Sequence, residues 1–191
     1  MAKMMAALAH GPAFAPPFLR TGKIVVAQVA NITRFLGERH GLAPASEAGR
    51  LAASTIALTI ADLVAEVHDT HHPLTVEKAY ETQKAAAKLR AAAFRTGRIP
   101  KFTHYLEKRL ADNGKVLVGR AISYADLSAF QIVEGLTYAF PKAMKKQRIP
   151  KLLALRDAVA KRPGIARYLA SVRRLPFSEE GIFRHYPELD A

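Results

Sequence analysis

The spacing of apolar positions changes period along this chain, and each change predicts an element. Two short apolar runs, Ala15–Leu19 and Ile24–Val26, flank the turn Arg20-Thr21-Gly22-Lys23 and predict two strands. From Gln28 to His40 the period lengthens. Ile32, Phe35 and Leu36 fall on one helical face, and Gly41 supplies the stop. The linker "GLAPAS" leads to Ser46 as an N-cap. A long helix follows over Glu47–Asp69, with Ile56, Ile60, Leu63 and Val67 at core spacing. Pro73 breaks the chain in "HDTHHP". Further helices are predicted over Val76–Arg95, punctuated by Gly97 and Pro100, and over Phe102–Leu110. "ADNGK" reads as a turn and Val116-Leu117-Val118 as a short extended piece. Tyr124–Phe140, Lys151–Lys161 and Gly164–Val172 are the last three predicted helices. The pattern shifts near residue 43 from a strand-bearing segment to an all-α one.

Composition narrows the class. The 191 residues are half hydrophobic, enough to bury a sizeable core. No uninterrupted run of about 18 uncharged apolar residues occurs, so no membrane span is expected. The opening "MAKMMAALAHGPAFA" is broken by His10 and Gly11, and it reads as a non-secreted start. Cysteine is absent, which excludes disulfides and a cysteine nucleophile and fits a cytoplasmic protein. The net charge is +13, and Lys142 to Arg174 holds eleven Lys or Arg against one acid, Asp157. Few aromatics interleave with them and no recognition motif is visible. A solvated basic face is therefore expected there rather than a nucleic-acid surface.

"ISYADLSAF" is the most informative stretch of the second half. Ser123 and Asp126 have the spacing of a capping box, with Ile122 and Leu127 at the staple positions. The helix it starts carries the apolar face Leu127, Phe130, Val133 and Leu136. Behind it lies "PPFLRTGKIVVAQVANITRFLGERHGL", a proline-led strand, a hairpin and a helix. The combination resembles the glutathione S-transferases, of the cytosolic, bacterial-like type, over Ala15 to Phe177.

That resemblance implies a mainly α fold: an all-α C-terminal transferase domain beside two strands and one helix of a thioredoxin-like α/β domain. It implies residues 1–42 as the glutathione-binding part, 46–177 as the helical domain and 178–191 as a C-terminal tail. It also implies a strand–helix–strand unit ahead of the proline, carrying the Tyr, Ser or Cys that activates the glutathione thiol. Only fourteen residues precede Ala15, so the chain is expected to lack the first part of that domain, and no catalytic residue can be assigned.

Site residues follow from the same resemblance. Pro17 would be the cis-proline, and Pro16 would pair its backbone with the cysteinyl unit of glutathione. Proline has no N–H, so only the Pro16 carbonyl can take part. Gln28 would grip the γ-glutamyl carboxylate at a helix N-terminus, a natural anion site. Val29 stands where the family has a hydroxyl. Asp62 lies near the position from which an acid reaches the glutathione ammonium across a dimer. On the residues alone, Pro16-Pro17 also reads as a stiff strand lead-in, Gln28 as a helix-start polar residue and Asp62 as a solvated acid.

His68 and His72 have the i, i+4 spacing of a helical metal site, but Pro73 ends the helix and no third ligand is evident. They are expected to cap the helix with Asp69 and His71 or line a cleft; neither metal nor cofactor is expected. The expected partners are glutathione as substrate, an electrophile and a second copy of the chain. The alternative is a non-catalytic interaction module that uses the basic stretch.

Overall fold

The computed structural model describes residues 13–191, so the reading of the opening stretch lies almost wholly outside the described residues. Strand β1 (Phe18–Thr21) turns back on β2 (Ile24–Ala27) in an antiparallel pair with Phe18 opposite Ala27 and Thr21 opposite Ile24. β1 starts three residues later than expected. Prolines 16 and 17 have no N–H to give a ladder, so pairing begins after them and takes in Arg20 and Thr21 instead. The turn is therefore two residues, and Gly22 opens it at φ 57°, a conformation glycine adopts freely.

Helix α1 (Val29–Arg39) follows with Gln28 at its N-cap. It stops at Gly41 (φ 68°), where Leu42 N donates to Gly37 O at 2.8 Å. Its buried position is Gly37, not the expected Leu36, which is exposed. The cause is close approach. A methyl group on Gly37 would lie 2.6 Å from the Tyr124 ring, so only glycine lets α1 sit against the helical domain there. Tyr124 N also donates to Leu42 O at 2.8 Å, tying the end of α1 to the same place.

Helix α2 (Glu47–Asp69) has the predicted limits, and Ser46 Oγ accepts from Gly49 N at 3.1 Å. By length and mean hydropathy it is the one helix among the described residues that could cross a membrane. Ile56, Ile60, Leu63 and Val67 on one face are buried in the protein core, while Leu51 and Leu58 on another are exposed.

The next helix begins later than expected. Residues 74–78 wrap around the buried Gln83 side chain, which accepts from Leu74 N and donates to Thr75 O and Lys78 O. A single 3₁₀ turn, Tyr80–Thr82, leads into α3 (Lys84–Ala93). The break expected at Gly97 and Pro100 is absent. A π turn over Phe94–Arg98 carries the backbone into α4 (Ile99–Asn113), and Pro100 sits in the first turn of α4, where a missing N–H costs nothing. Val116-Leu117-Val118 is buried but forms no strand. Leu117 N instead donates to Asp126 Oδ1 at 2.8 Å.

Helix α5 (Tyr124–Ala139) is the central helix and packs against both α2 and α7 (Pro150–Ala160). A short unforeseen helix, α6 (Pro141–Lys145), lies between α5 and α7, and α8 (Pro163–Leu169) ends sooner than expected. Glu107 on α4 accepts from Lys151 N at 3.1 Å and Leu152 N at 2.8 Å, so one helix caps another.

Residues 178–191 pack back on the helices rather than trailing away. Phe183 covers Gly135, whose added Cβ would meet the ring at 2.5 Å. Tyr186 stacks on Tyr80 with ring centroids 3.9 Å apart, and Tyr80 Oη donates to Glu188 at 3.0 Å. Asp190 accepts from Lys142 N at 2.7 Å and Ala143 N at 3.1 Å, capping α6. The fold is mainly α, with a two-strand, one-helix α/β unit docked on it.

Candidate functional site

The Pro16–Pro17 peptide bond is cis. It leads into β1, which among the described residues pairs on one side only. Because Phe18 and Ala27 are partners, Pro17 and Gln28 are the next residues facing each other along the two chains. The hairpin thus brings two of the expected ligand residues together at one open edge. Pro16, Pro17, Gln28 and Val29 are all exposed.

Gln28 has φ 70° and ψ 124°, in a region L residues rarely occupy, and its side chain makes no capping bond. Such a backbone costs about 1–3 kcal/mol and is typical of ligand-holding positions. It leaves the amide side chain free beside the first amides of α1. Ile32 N makes the first intrahelical bond, to Gln28 O at 2.9 Å, so the amides of Val29, Ala30 and Asn31 have no intrahelical acceptor. Those donors and the helix dipole make an anion site. Val29 offers it an exposed apolar side chain and no hydroxyl. Asp62 stands on α2 and is exposed to solvent. The positive φ of Gln28 had no signal in the sequence, since glutamine is not a residue that marks such conformations.

The capping box serves the helical domain, not a ligand. Ser123 and Asp126 form it at the start of α5, and both are buried. Asp126 Oδ2 accepts from Ser123 N at 2.7 Å and Ser123 Oγ at 2.8 Å, while Oδ1 holds Leu117 N. Burial pushes the Asp126 carboxyl above its ordinary value, although the backbone bonds from Leu117 and Ser123 pull it back.

The resemblance implies a thiol-activating Tyr, Ser or Cys near this edge. Residues 13–45 contain no Tyr, Ser or Cys. Further along, burial raises the Tyr80 phenol, reinforced by its bond to Glu188, and burial also raises the Tyr124 phenol. Neither is tuned toward ionisation.

At the far end of α2 the structure brings the histidines named from the sequence together. His71 joins His68 and His72, with ring centroids 4.9–5.0 Å apart in all three pairs. Burial pushes His71 down to about 4, and burial followed by the neighbouring His72 and Arg184 charges lowers His68. His71 and His72 stand at i+3 and i+4 from His68, so the helical turn carried on through Thr70 sets all three on one face.

Comparison with known proteins gives a consistent result. The family described as "Glutathione S-transferase, C-terminal domain" matches residues 68–172. A glutathione S-transferase of Plasmodium yoelii yoelii is 26% identical over 156 residues, covering 81% of this chain and 67% of that protein. Among solved structures, prostaglandin synthase D of Nilaparvata lugens superposes with a TM-score of 0.73 at 21% identity, covering 92% of this chain and 81% of its own. A Pi-class glutathione S-transferase of Onchocerca volvulus gives 0.67 at 21% identity, covering 87% and 74%. At these identities the structures speak to fold, and the family match covers more than half of the chain. The chain belongs to the glutathione S-transferase family.

Proposed function

We propose that this chain binds glutathione along the open edge of β1 and at the N-terminus of α1. In this reading the Pro16 carbonyl pairs with the cysteinyl N–H, and Gln28 and the α1 amides hold the γ-glutamyl carboxylate. The observation that carries it is the pairing register, which sets Pro17 opposite a Gln28 whose backbone is held at positive φ. The plasmodial relative, itself a glutathione S-transferase, supports the same substrate. The chemistry proposed is transfer of the glutathione thiolate to an electrophilic small molecule, in the cytoplasm, with no cofactor.

Two features weaken the site in residues 1–191. Pro16 removes one backbone bond, worth about 0.5–1.5 kcal/mol, and Val29 removes a hydroxyl donor. Residues 13–45 also supply no thiol-activating side chain. Binding should be weak, and conjugation of a generic aryl halide by the 191-residue chain slow or undetectable. Calorimetry with reduced glutathione tests this. Gln28→Ala should weaken binding by about 1.5–3 kcal/mol, roughly 10- to 150-fold, because the bound carboxylate loses a charge-assisted partner. Unchanged affinity in Gln28→Ala would place glutathione elsewhere, and rapid turnover by the purified chain would overturn the account of thiol activation.

The proposed assembly is a homodimer. Leu51 and Leu58 are exposed one heptad apart on α2, and Val29 and Leu36 are exposed on α1. A single helix row of this kind is commonly covered by a second copy. Light scattering at tens of micromolar should give twice the mass of one chain; a particle of one chain's mass would contradict the dimer.

A further inference from the structure

His68, His71 and His72 converge at the C-terminal end of α2. The helix spans 23 residues, so this end lies about 34 Å along its axis from the linker that follows α1. The glutathione edge and the histidines are therefore separate features of the fold.

The three rings form a near-equilateral triangle, and one nitrogen of each lies within 4.8 Å of the other two. His72 keeps its place beside His68 even though Pro73 follows, because His72 N still donates to His68 O at 3.1 Å. His71 lies on the same face, three residues after His68, and His71 N donates to His68 O at 3.2 Å.

Hydrogen bonding leaves one lone pair without a partner. His71 Nε2 lies 2.9 Å from Ile182 O. A carbonyl can only accept, so Nε2 carries the proton and Nδ1 is a bare lone pair. That Nδ1 is buried with no hydrogen-bond partner, on a residue only 1% exposed. A buried polar atom of this kind is satisfied by an ordered water or an ion. His72 Nδ1 shares its donor with other acceptors. Gln83 Nε2 has two hydrogens and three acceptors around it: Lys78 O at 2.9 Å, Thr75 O at 3.0 Å and His72 Nδ1 at 3.2 Å. The two carbonyls are nearer, so His72 Nδ1 holds only the most distant of the three contacts.

We propose that His68, His71 and His72 form a binding site for a divalent transition metal of the zinc class, with its remaining position open to solvent. Three neutral imidazoles are a donor set that zinc accepts in tetrahedral sites, at about 2.0–2.1 Å from each nitrogen. Ligands at that distance stand about 3.4 Å apart. Modest rotations of the half-exposed His68 and His72 bring them there without moving His71. The carbonyl of Ile182 plays the outer role typical of metal-bound histidine, fixing the tautomer and the ring orientation. Through it the metal would also fasten residues 178–191 to the end of α2. Asp69, beside His68, is ion-paired to Arg90 at 3.6 Å, and Arg184 adds positive charge near the histidines.

The test uses the full chain without an affinity tag, freed of metal by a chelator. Zinc is titrated against a chromogenic chelator, and cobalt(II) is followed by its visible ligand-field absorption. One ion per chain with tetrahedral cobalt bands is expected. His68→Gln and His72→Gln, both at half-exposed positions, should keep the wild-type circular dichroism. Each should weaken binding by more than the roughly 10- to 100-fold that loss of an outer partner costs. Zinc should also raise the thermal midpoint of the wild-type chain but not of the double variant. No binding by the wild-type chain would overturn the site. So would equal affinity in the double variant, which would assign the metal to His10, His40, His104 or His185.

Discussion

Replacing Asp126 with alanine should lower the unfolding free energy by about 3 kcal/mol or more. One carboxylate satisfies three buried donors, Ser123 N, Ser123 Oγ and Leu117 N, and each donor left unpaired costs about 1–3 kcal/mol. The effect exceeds that of an ordinary N-cap, about 1 kcal/mol, because Asp126 also pins the buried Val116–Val118 stretch to the start of α5. The loss should also depend on pH with a definite sign. Burial raises the native carboxyl above the unfolded value of 3.8, so the folded chain keeps this proton after the unfolded chain has released it. The contribution of Asp126 is therefore greatest at or below the unfolded value and declines as pH rises through the folded one. The difference between wild type and Asp126→Ala should be larger at about pH 4 than at neutral pH. Thermal and denaturant melts check both points, and an unchanged midpoint would mean that Asp126 does not hold the two segments together.

Gly135→Ala should be the second severe change. Its new Cβ would lie 2.5–2.6 Å from three atoms of the Phe183 ring, including Cγ, which cannot swing aside as the tip of a flexible chain could. Overpacking of this kind costs about 1–3 kcal/mol. It should act by lifting residues 178–191 off α5, where Phe183 is buried. The double-mutant cycle isolates that cause. Gly135→Ala should cost much less in a Phe183→Ala background, because the ring it strikes is gone. Equal cost in both backgrounds would mean that the methyl group disturbs α5 itself.

Where periodicity is strong, the sequence predicts the fold closely. Glu47–Asp69 has its limits fixed by Ser46 and by a repeating apolar face, and the box at Ser123 and Asp126 marks the start of α5 to the residue. Misreadings arise where a tertiary contact overrides local pattern. Leu36 looks like the inner face of α1, but Gly37 is what fits beneath Tyr124. Residues 76–79 read as helix until the buried Gln83 amide claims the carbonyls of Thr75 and Lys78. Gly97 and Pro100 look like a break, yet a π turn absorbs one and a first helical turn the other. The docking of residues 178–191 rests on single anchors, Phe183, Leu189 and Asp190, with no period to detect.

The candidate site was legible in part. Pro17 and Gln28 could be named only through the family resemblance, and the helix start from its apolar pattern. Their meeting at one edge needed the hairpin register, and the backbone of Gln28 needed coordinates. The histidines stand at i, i+3 and i+4, so their grouping is visible in the sequence, whereas the bond from His71 to Ile182 far along the chain is not.

The central claim is that glutathione lies between Pro17 and the first turn of α1. Amide chemical-shift mapping of the isotope-labelled chain during titration with reduced glutathione tests it most directly. The account predicts the largest shifts at Gln28, Val29, Ala30 and Asn31, with Phe18 following, and much smaller ones in Gln28→Ala. Saturable shifts centred on other elements, with the α1 amides unmoved, would contradict it.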